Sequence, residues 1–145
     1  MSQAAPRLVL LDSGGANLGS VQAAFERLGV AAPVSSDWNT IRAATHLVLP
    51  GVGAAATAMA KLRENGLAAL IPKLTQPLMG ICIGMQLLYE RSAENDTECL
   101  GLLPGRVLKL PAAPGIRVPH MGWNRLDVEV EHPLVAGLDR QWVYF

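Results

Sequence analysis

Apolar runs and amphipathic stretches alternate along the first part of the chain. Residues 7–11 form a short apolar run, and after the break "DSGGANLGS" apolar residues recur at helical spacing from Val21 to Leu28, where Gly29 ends the pattern. The segment "AAPVSS" predicts a weak second strand, and "THLVLPGVG" predicts a stronger one with a sharp glycine stop. The order is therefore strand, helix, strand, strand.

The alternation continues up to the first cysteine. A helical stretch is predicted from about residue 54 to 74, split by Gly66 and Pro72. The segment "QPLMGI" predicts a buried strand that runs into Cys82, and "MQLLYERS" predicts a helix after it. Such units predict a parallel sheet with helices on both faces, with ligands bound at the carboxyl ends of the strands.

Beyond Ser92 the pattern changes to short strands between turns. The segments "RVLKL", "RVPHMGWNRLDVEV" and "QWVYF" predict strands, so we expect the sheet to continue with antiparallel strands. The sequence stops at Phe145 within a strand-like run, and we therefore expect the C-terminal part of the domain to be missing.

Composition limits the class of protein. The chain has 145 residues, 50% of them hydrophobic, which is enough for one compact domain over residues 1–145. Lys plus Arg and Asp plus Glu balance at 12 each, so we expect neither nucleic acid nor a membrane surface as partner. No stretch is typical of a signal peptide or a membrane span, and two cysteines in unlike contexts predict free thiols. We expect a cytoplasmic protein.

The stretch "MGICIGMQ" is the strongest candidate for chemistry. Gly80 and Gly84 flank Cys82 as a tight turn from strand to helix requires, because a side chain at either position would collide with nearby backbone. The turn would lift the sulfur outward at a helix N-terminus, where free N–H groups stabilise a thiolate. The N–H of Ile83 and the loop of residues 50–53, "PGVG", could supply an oxyanion hole. Taken alone, the motif better fits a buried cysteine that only packs the core.

Four segments together resemble one known family. "G-I-C-I-G-M-Q", with Gln86 after the turn, and "PGVG" resemble the class I, triad-type glutamine amidotransferases. "VPHMGWN" and "LDSGGANLGSV" resemble one branch of that family, the glutaminase subunits of imidazole glycerol phosphate synthase from histidine biosynthesis. Ser13 and Ala16 stand where that branch usually has tyrosine and glycine, so the role of this loop stays open.

The resemblance implies a fold and a reaction. The fold would be the α/β, flavodoxin-like three-layer sandwich of that family, with antiparallel additions to its parallel sheet. Cys82 would be the nucleophile that hydrolyses glutamine to glutamate and ammonia, without cofactor or metal. The oxyanion hole and substrate site would comprise Gly51, Val52, Gly53, Ile83 and Gln86. The ammonia would pass to a (β/α)8-barrel cyclase subunit that makes imidazole glycerol phosphate.

The resemblance also implies a surface for the cyclase. Its candidate residues are Asn17, Pro119, His120, Met121, Trp123 and Asn124. Other interpretations stay open for some of them: Asn17 as the cap of the first helix, Met121 and Trp123 as core residues, and His120 as the base for Cys82.

The triad partners that the family uses are not found in these 145 residues. His132 precedes proline, but Leu134 stands where the family's Phe-His-Pro-Glu motif has glutamate, and His46 is typical of a strand edge. We therefore expect the chain as given to be inactive. Two alternatives are a degenerate module that only binds the cyclase, and a different cysteine hydrolase or peptidase, against which Gln86 and "PHMGWN" argue. Cys99 has no companion motif.

Overall fold

The structure is a computed structural model that describes residues 6–15 and 17–145. The chain divides into two compact units, Met1–Leu108 and Lys109–Phe145. Each unit is described by itself.

Strands and helices alternate in the first unit. In chain order they are β1 Leu8–Leu11, α1 Leu18–Arg27, β2 Val34–Ser35, α2 Trp38–Ala43, β3 His46–Leu49, α3 Ala55–Glu64, α4 Leu67–Leu70, a 3-10 turn Ile71–Lys73, β4 Leu78–Gly80 and α5 Ile83–Gln86. The four strands form a parallel sheet in the order β2-β1-β3-β4. The parallel sheet predicted from the alternation is confirmed.

Both faces of this sheet are covered by apolar side chains. Successive residues of a strand point to opposite faces, so Val9 and Leu11 join one buried cluster and Leu8 and Leu10 another. The first cluster includes the buried residues of α2, α3 and α4, whereas side chains of α1 pack against the second. The sheet thus has helices on both faces, as the alternation predicted, and forms the three-layer sandwich that the resemblance implied.

Two details of the helices show how local chemistry sets their ends. Gly66, with φ 78°, separates α3 from α4 at the predicted place. Helix α2 was not predicted, although its start is encoded: the carboxylate of Asp37 accepts a hydrogen bond from the backbone N–H of Thr40 at 2.7 Å. This bond lowers the pKa of Asp37 below its ordinary value, because it stabilises the charged form.

The helix predicted for "MQLLYERS" is wrong beyond Gln86. Helix α5 has only four residues, and the chain then forms β5 Tyr89–Ser92, which pairs with β6 Thr97–Glu98 and β7 Leu103–Val107 in a separate three-stranded sheet. Leu87, fully buried, ends the turn in the core. A short apolar run does not distinguish helix from strand by period, and here pairing with two neighbouring strands decides.

The antiparallel pairs lie outside the main sheet, contrary to the prediction. In the first unit, β5 and β6 pair antiparallel within the separate sheet. In the second unit, β8 Trp123–Arg125 and β9 Trp142–Tyr144 pair antiparallel in a two-stranded sheet, and a 3-10 turn spans Pro133–Val135. Among the described residues no helix is both long and apolar enough to cross a membrane.

Candidate active site

Cys82 lies on a sharp turn between β4 and α5. Its backbone has φ 55° and ψ −120°, a conformation that residues other than glycine rarely adopt. Its side chain is exposed at the carboxyl end of β4. The backbone therefore presents the thiol outward, as predicted for a nucleophile turn and contrary to the interpretation of Cys82 as core packing.

The two flanking glycines have no room for a side chain. A Cβ added to Gly80 would lie 2.6 Å from the backbone N of Met85, and one added to Gly84 would overlap the carbonyl oxygen of Leu49. Real Cβ atoms do not approach backbone so closely. The predicted collision at both positions is confirmed.

The end of β3 is in direct contact with this turn. The N–H of Ile81 donates to the carbonyl oxygen of Leu49 at 3.0 Å. A Cβ added to Gly51 would lie 2.8 Å from the backbone N of Gly84, so the "PGVG" loop and the cysteine turn touch through glycine. The two segments that the sequence singled out meet at the carboxyl edge of the sheet.

Two backbone N–H groups, one in the cysteine turn and one in the "PGVG" loop, are available as donors. Over the described ranges, neither the N–H of Ile83 nor that of Val52 donates a hydrogen bond. Ile83 anchors its side chain in the core, whereas Val52 is 39% exposed and Gly53, with φ 83°, borders open space. One candidate donor is thus held rigidly and the other belongs to the free part of a loop.

Helix α5 contributes local N–H groups rather than a large dipole. With four residues it spans about one turn, too short for the aligned peptides that build a macrodipole. Gln86 ends the helix and is half-buried, and its backbone N–H donates to the carbonyl oxygen of Cys82 at 3.2 Å. The predicted stabilisation of a thiolate therefore depends on the N–H of Ile83, because the N–H of Gly84 donates to the carbonyl oxygen of Ile81 at 3.0 Å.

The loop after β1 holds the "PGVG" loop from behind. Ser13 is 2% exposed, and its hydroxyl donates to the carbonyl oxygen of Pro50 at 2.6 Å. A Cβ added to Gly15 would lie 3.0 Å from Cγ2 of Val52. The carboxylate of Asp12 accepts from the N–H of Gly14 at 3.0 Å and so caps the start of this loop. Sequence analysis missed the contact of Ser13, because no pattern distinguishes a buried serine in a loop from an exposed one.

The far end of the same loop is also held. The carboxylate of Glu94 accepts from the N–H of Ala55, the first residue of α3, at 2.9 Å. A carboxylate at a helix N-terminus is favourable because it pairs with N–H groups that lack helical partners. Glu94 was not predicted, since its contact spans two separate elements.

His46 is the histidine of the first unit, and it lies away from Cys82. His46 begins β3, in register with the residue before Leu78 of β4, so it lies about 15 Å from Cys82 along the strand direction. In the second unit, Nδ1 of His132 accepts from the N–H of Leu134 at 3.2 Å in an exposed turn. His120 and Asn124 are hydrogen bonded side chain to side chain at 2.8 Å.

The residues predicted to face a partner are exposed, except Asn124, which is half-buried. Met121 and Trp123 are each 66% exposed, and the Trp123 ring meets that of Tyr144 edge to face at 5.5 Å. Their interpretation as core residues of the described second unit is therefore wrong. Pro119 is exposed as well. In the first unit, Asn17 occupies the N-cap of α1, but its side chain makes no capping hydrogen bond.

Cys99 is less exposed than Cys82. It is half-buried against the main core, and its thiol donates weakly to the carbonyl oxygen of Thr97 at 3.6 Å. Burial raises the pKa of the Cys99 thiol above its ordinary value. Cys99 therefore behaves as a packing residue.

Replacement of Gly84 by alanine is expected to destabilise the fold and deform the turn. The new Cβ would overlap the carbonyl oxygen of Leu49, which is buried backbone and cannot rotate away. Overpacking of this kind costs about 3 kcal/mol in the free energy of unfolding, measured by urea denaturation. The control is Gly19→Ala in α1, where nothing lies within 4 Å and alanine should raise stability by up to about 1 kcal/mol. Equal stability of the two variants would contradict the geometry.

Comparison with known proteins gives one consistent result. Residues 9–142 match the model of the family "Glutamine amidotransferase class-I". "Imidazole glycerol phosphate synthase subunit HisH" of Xanthomonas oryzae pv. oryzae (strain MAFF 311018) is 56% identical over 139 residues, which cover 95% of this chain and 70% of that protein. The protein of the same description from Xylella fastidiosa (strain Temecula1 / ATCC 700964) is 54% identical over 129 residues, covering 89% of this chain and 64% of its own.

A solved structure agrees at the level of the fold. The protein described as "Crystal structure of glutamine amidotransferase" superposes with a TM-score of 0.72 over 94% of this chain and 69% of its own, with 23% identity. At that identity the likeness supports the α/β architecture and carries no residue roles.

Proposed function

Because this chain belongs to the class I glutamine amidotransferase family, among the glutaminase subunits of imidazole glycerol phosphate synthase, we propose that it carries the site that hydrolyses glutamine to glutamate and ammonia. The observation that carries the proposal is the backbone of Cys82, held at φ 55° on an exposed turn between two glycines that admit no side chain. A cysteine used only for packing has no need of such a conformation.

The chemistry follows from the groups around the thiol. The thiolate of Cys82 attacks the side-chain amide carbon of glutamine, and the amide oxygen gains the negative charge. The N–H groups of Ile83 and Val52 are the donors we assign to this oxyanion, with Gly51 and Gly53 allowing the loop to approach. Collapse of the intermediate breaks the C–N bond, a proton goes to the leaving nitrogen, and ammonia departs. Water then adds to the glutamyl thioester, which releases glutamate and restores the thiol.

We assign Gln86 to the substrate site because it follows the turn directly. It ends the helix that begins at Cys82, half-buried, within one helical turn of the thiol. A side-chain amide at this place can exchange hydrogen bonds with the polar end of an amino-acid substrate.

The partner we propose is the (β/α)8-barrel cyclase subunit of the same synthase. The relatives are described as subunits of imidazole glycerol phosphate synthase, which supports an assembly. The proposed contact residues are Asn17, Pro119, His120, Met121, Trp123 and Asn124. Exposure of large apolar side chains such as Trp123 supports this assignment, since aromatic and methionine side chains anchor interfaces. We also propose the cytoplasm as compartment, supported by an exposed free thiol at the proposed site.

Glutamine hydrolysis is expected to rise about tenfold or more when the cyclase and its nucleotide ligand are added. Ammonia made without the partner would be lost to water, and the free segment of residues 52–53 can reorient on docking. The measurement is glutamate release by the protein expressed from its complete gene, titrated with cyclase. A rise that saturates with cyclase supports both the activity and the partner.

The outcomes separate the alternatives. Equal rates with and without cyclase would reject activation by the partner but not the glutaminase. Saturable binding of cyclase with no glutamate release would favour the degenerate binding module. Hydrolysis of other amides or esters in preference to glutamine would favour a different cysteine hydrolase.

A further inference from the structure

We propose that Ser13 is a positioning residue for the oxyanion hole: its hydroxyl fixes the peptide plane next to the one that presents the Val52 N–H. This inference rests on the glutaminase function proposed above. It assigns a role to a loop residue that stands where the resembling sequences usually carry tyrosine, a position for which the sequence offered no role.

The contact is a buried link between two loops. Ser13 follows β1 and Pro50 follows β3, and the Ser13 hydroxyl donates to the carbonyl oxygen of Pro50 at 2.6 Å. Ser13 is 2% exposed and Pro50 is buried, so water does not compete for this carbonyl. Without the hydroxyl, a buried carbonyl oxygen would lose its donor, which proteins seldom tolerate without a shift of backbone.

Peptide geometry transmits the contact toward the site. The carbonyl of Pro50 and the N–H of Gly51 share one rigid plane, so holding the carbonyl also sets the direction of that N–H. Only the two torsions of Gly51 then separate this fixed plane from the plane that carries the Val52 N–H. By fixing this peptide plane, the hydroxyl of Ser13 limits the orientations that the Val52 N–H can take.

Hydrogen bonds and close packing hold residues 49–51 of the loop, whereas the residues that follow are exposed. The carbonyl of Leu49 accepts from Ile81, the carbonyl of Pro50 accepts from Ser13, and Gly51 is buried against Gly84. The next two residues, Val52 and Gly53, are exposed. Ser13 thus holds the last buried peptide before the exposed donor, and loss of this anchor would spread the Val52 N–H over more orientations.

The test compares Ser13→Ala with Ser13→Thr, which keeps the hydroxyl. Both are made in the protein expressed from its complete gene and assayed with cyclase for glutamate release. We expect kcat of the alanine variant to fall about 10- to 100-fold with KM changed less than about 3-fold, because the donor is misaimed while glutamine binding is kept. The threonine variant should stay within about 5-fold of the starting protein.

Alkylation of Cys82 by iodoacetamide separates positioning from collapse of the site. Here the thiolate displaces iodide from a saturated carbon, so a C–S bond forms, a C–I bond breaks and no oxyanion develops. The alkylation rate should therefore be the same in all three proteins. A parallel fall of alkylation and glutaminase in Ser13→Ala would show general damage to the turn and overturn the inference, as would a wild-type kcat.

Crystal structures of Ser13→Ala and the starting protein test the inference without turnover. The expected result is a rotated Pro50 carbonyl, or several conformations of residues 51–53 in place of one, with β1 and β3 unchanged. A Pro50 carbonyl that keeps its direction, with residues 51–53 in one unchanged conformation, would overturn the anchoring role. If the starting protein hydrolysed no glutamine at all, the proposed function would fail, and this measurement would still decide the role of Ser13.

Discussion

Replacing Cys82 by alanine is expected to abolish glutamine hydrolysis, lowering kcat by about 10⁵-fold or more in the protein expressed from its complete gene and assembled with cyclase. No covalent glutamyl intermediate can form without the sulfur, and in the described chain the other thiol, Cys99, is half-buried with a raised pKa. The measurement is the release of glutamate from glutamine under saturating cyclase.

The control for this prediction is Cys99→Ala, which should keep kcat within about twofold. Treatment with a glutamine-like chloroketone, followed by peptide mass spectrometry, should place the adduct on Cys82. An adduct on Cys99 with Cys82 unmodified would contradict the assignment of Cys82 as nucleophile. Loss of activity in Cys99→Ala but not in Cys82→Ala would contradict it as well.

A protein limited to residues 1–145 is expected to react at Cys82 without turning over glutamine, even with cyclase present. Acylation requires a proton for the leaving nitrogen, and hydrolysis of the thioester requires a base for water. His46 lies at the opposite end of the sheet strands from Cys82, and in the second unit His132 caps a turn. We expect glutamate release at least about 10⁴-fold below that of the same chain extended through a Phe-His-Pro-Glu segment.

The labelling reaction supplies the control for this second prediction. Iodoacetamide should modify Cys82 at similar rates in the short and the extended chain, since the turn and its glycines belong to both. Glutamate release from the short chain at the rate of the extended one would contradict the prediction and restore His120 as the candidate base. Slow labelling in the short chain would locate the defect in folding instead of catalysis.

The central sheet and the cysteine turn could be predicted because local patterns specify them. Apolar runs that end in glycine predicted β1, β3 and β4, and the spacing of Gly80 and Gly84 around Cys82 predicted a turn that the backbone shows. Asp37, an N-cap residue, also marks the start of α2 in the sequence. The helix was missed because it is short and lacks a clear apolar period.

The parts that sequence analysis missed depend on contacts between distant segments. Tyr89–Ser92 became a strand because β6 and β7 pair with it, and no period within eight residues reveals such partners. The roles of Ser13 and Glu94 depend on carbonyl and N–H groups 37 and 39 residues away. Local sequence predicts elements and turns well, whereas the second layer of groups that orients a site is defined only when the chain has folded.

The conformation of Cys82 bears on what natural selection has maintained in this chain. A side chain held at φ 55° and ψ −120° costs on the order of 1–3 kcal/mol, a sizeable share of the roughly 5–15 kcal/mol by which a domain is stable. A lineage kept only for binding another protein would become more stable by exchanging the cysteine for glycine, a single-residue step that mutation offers readily. A cysteine in this strained position is costly for stability and useful for chemistry, which favours an enzyme over an inert binding module.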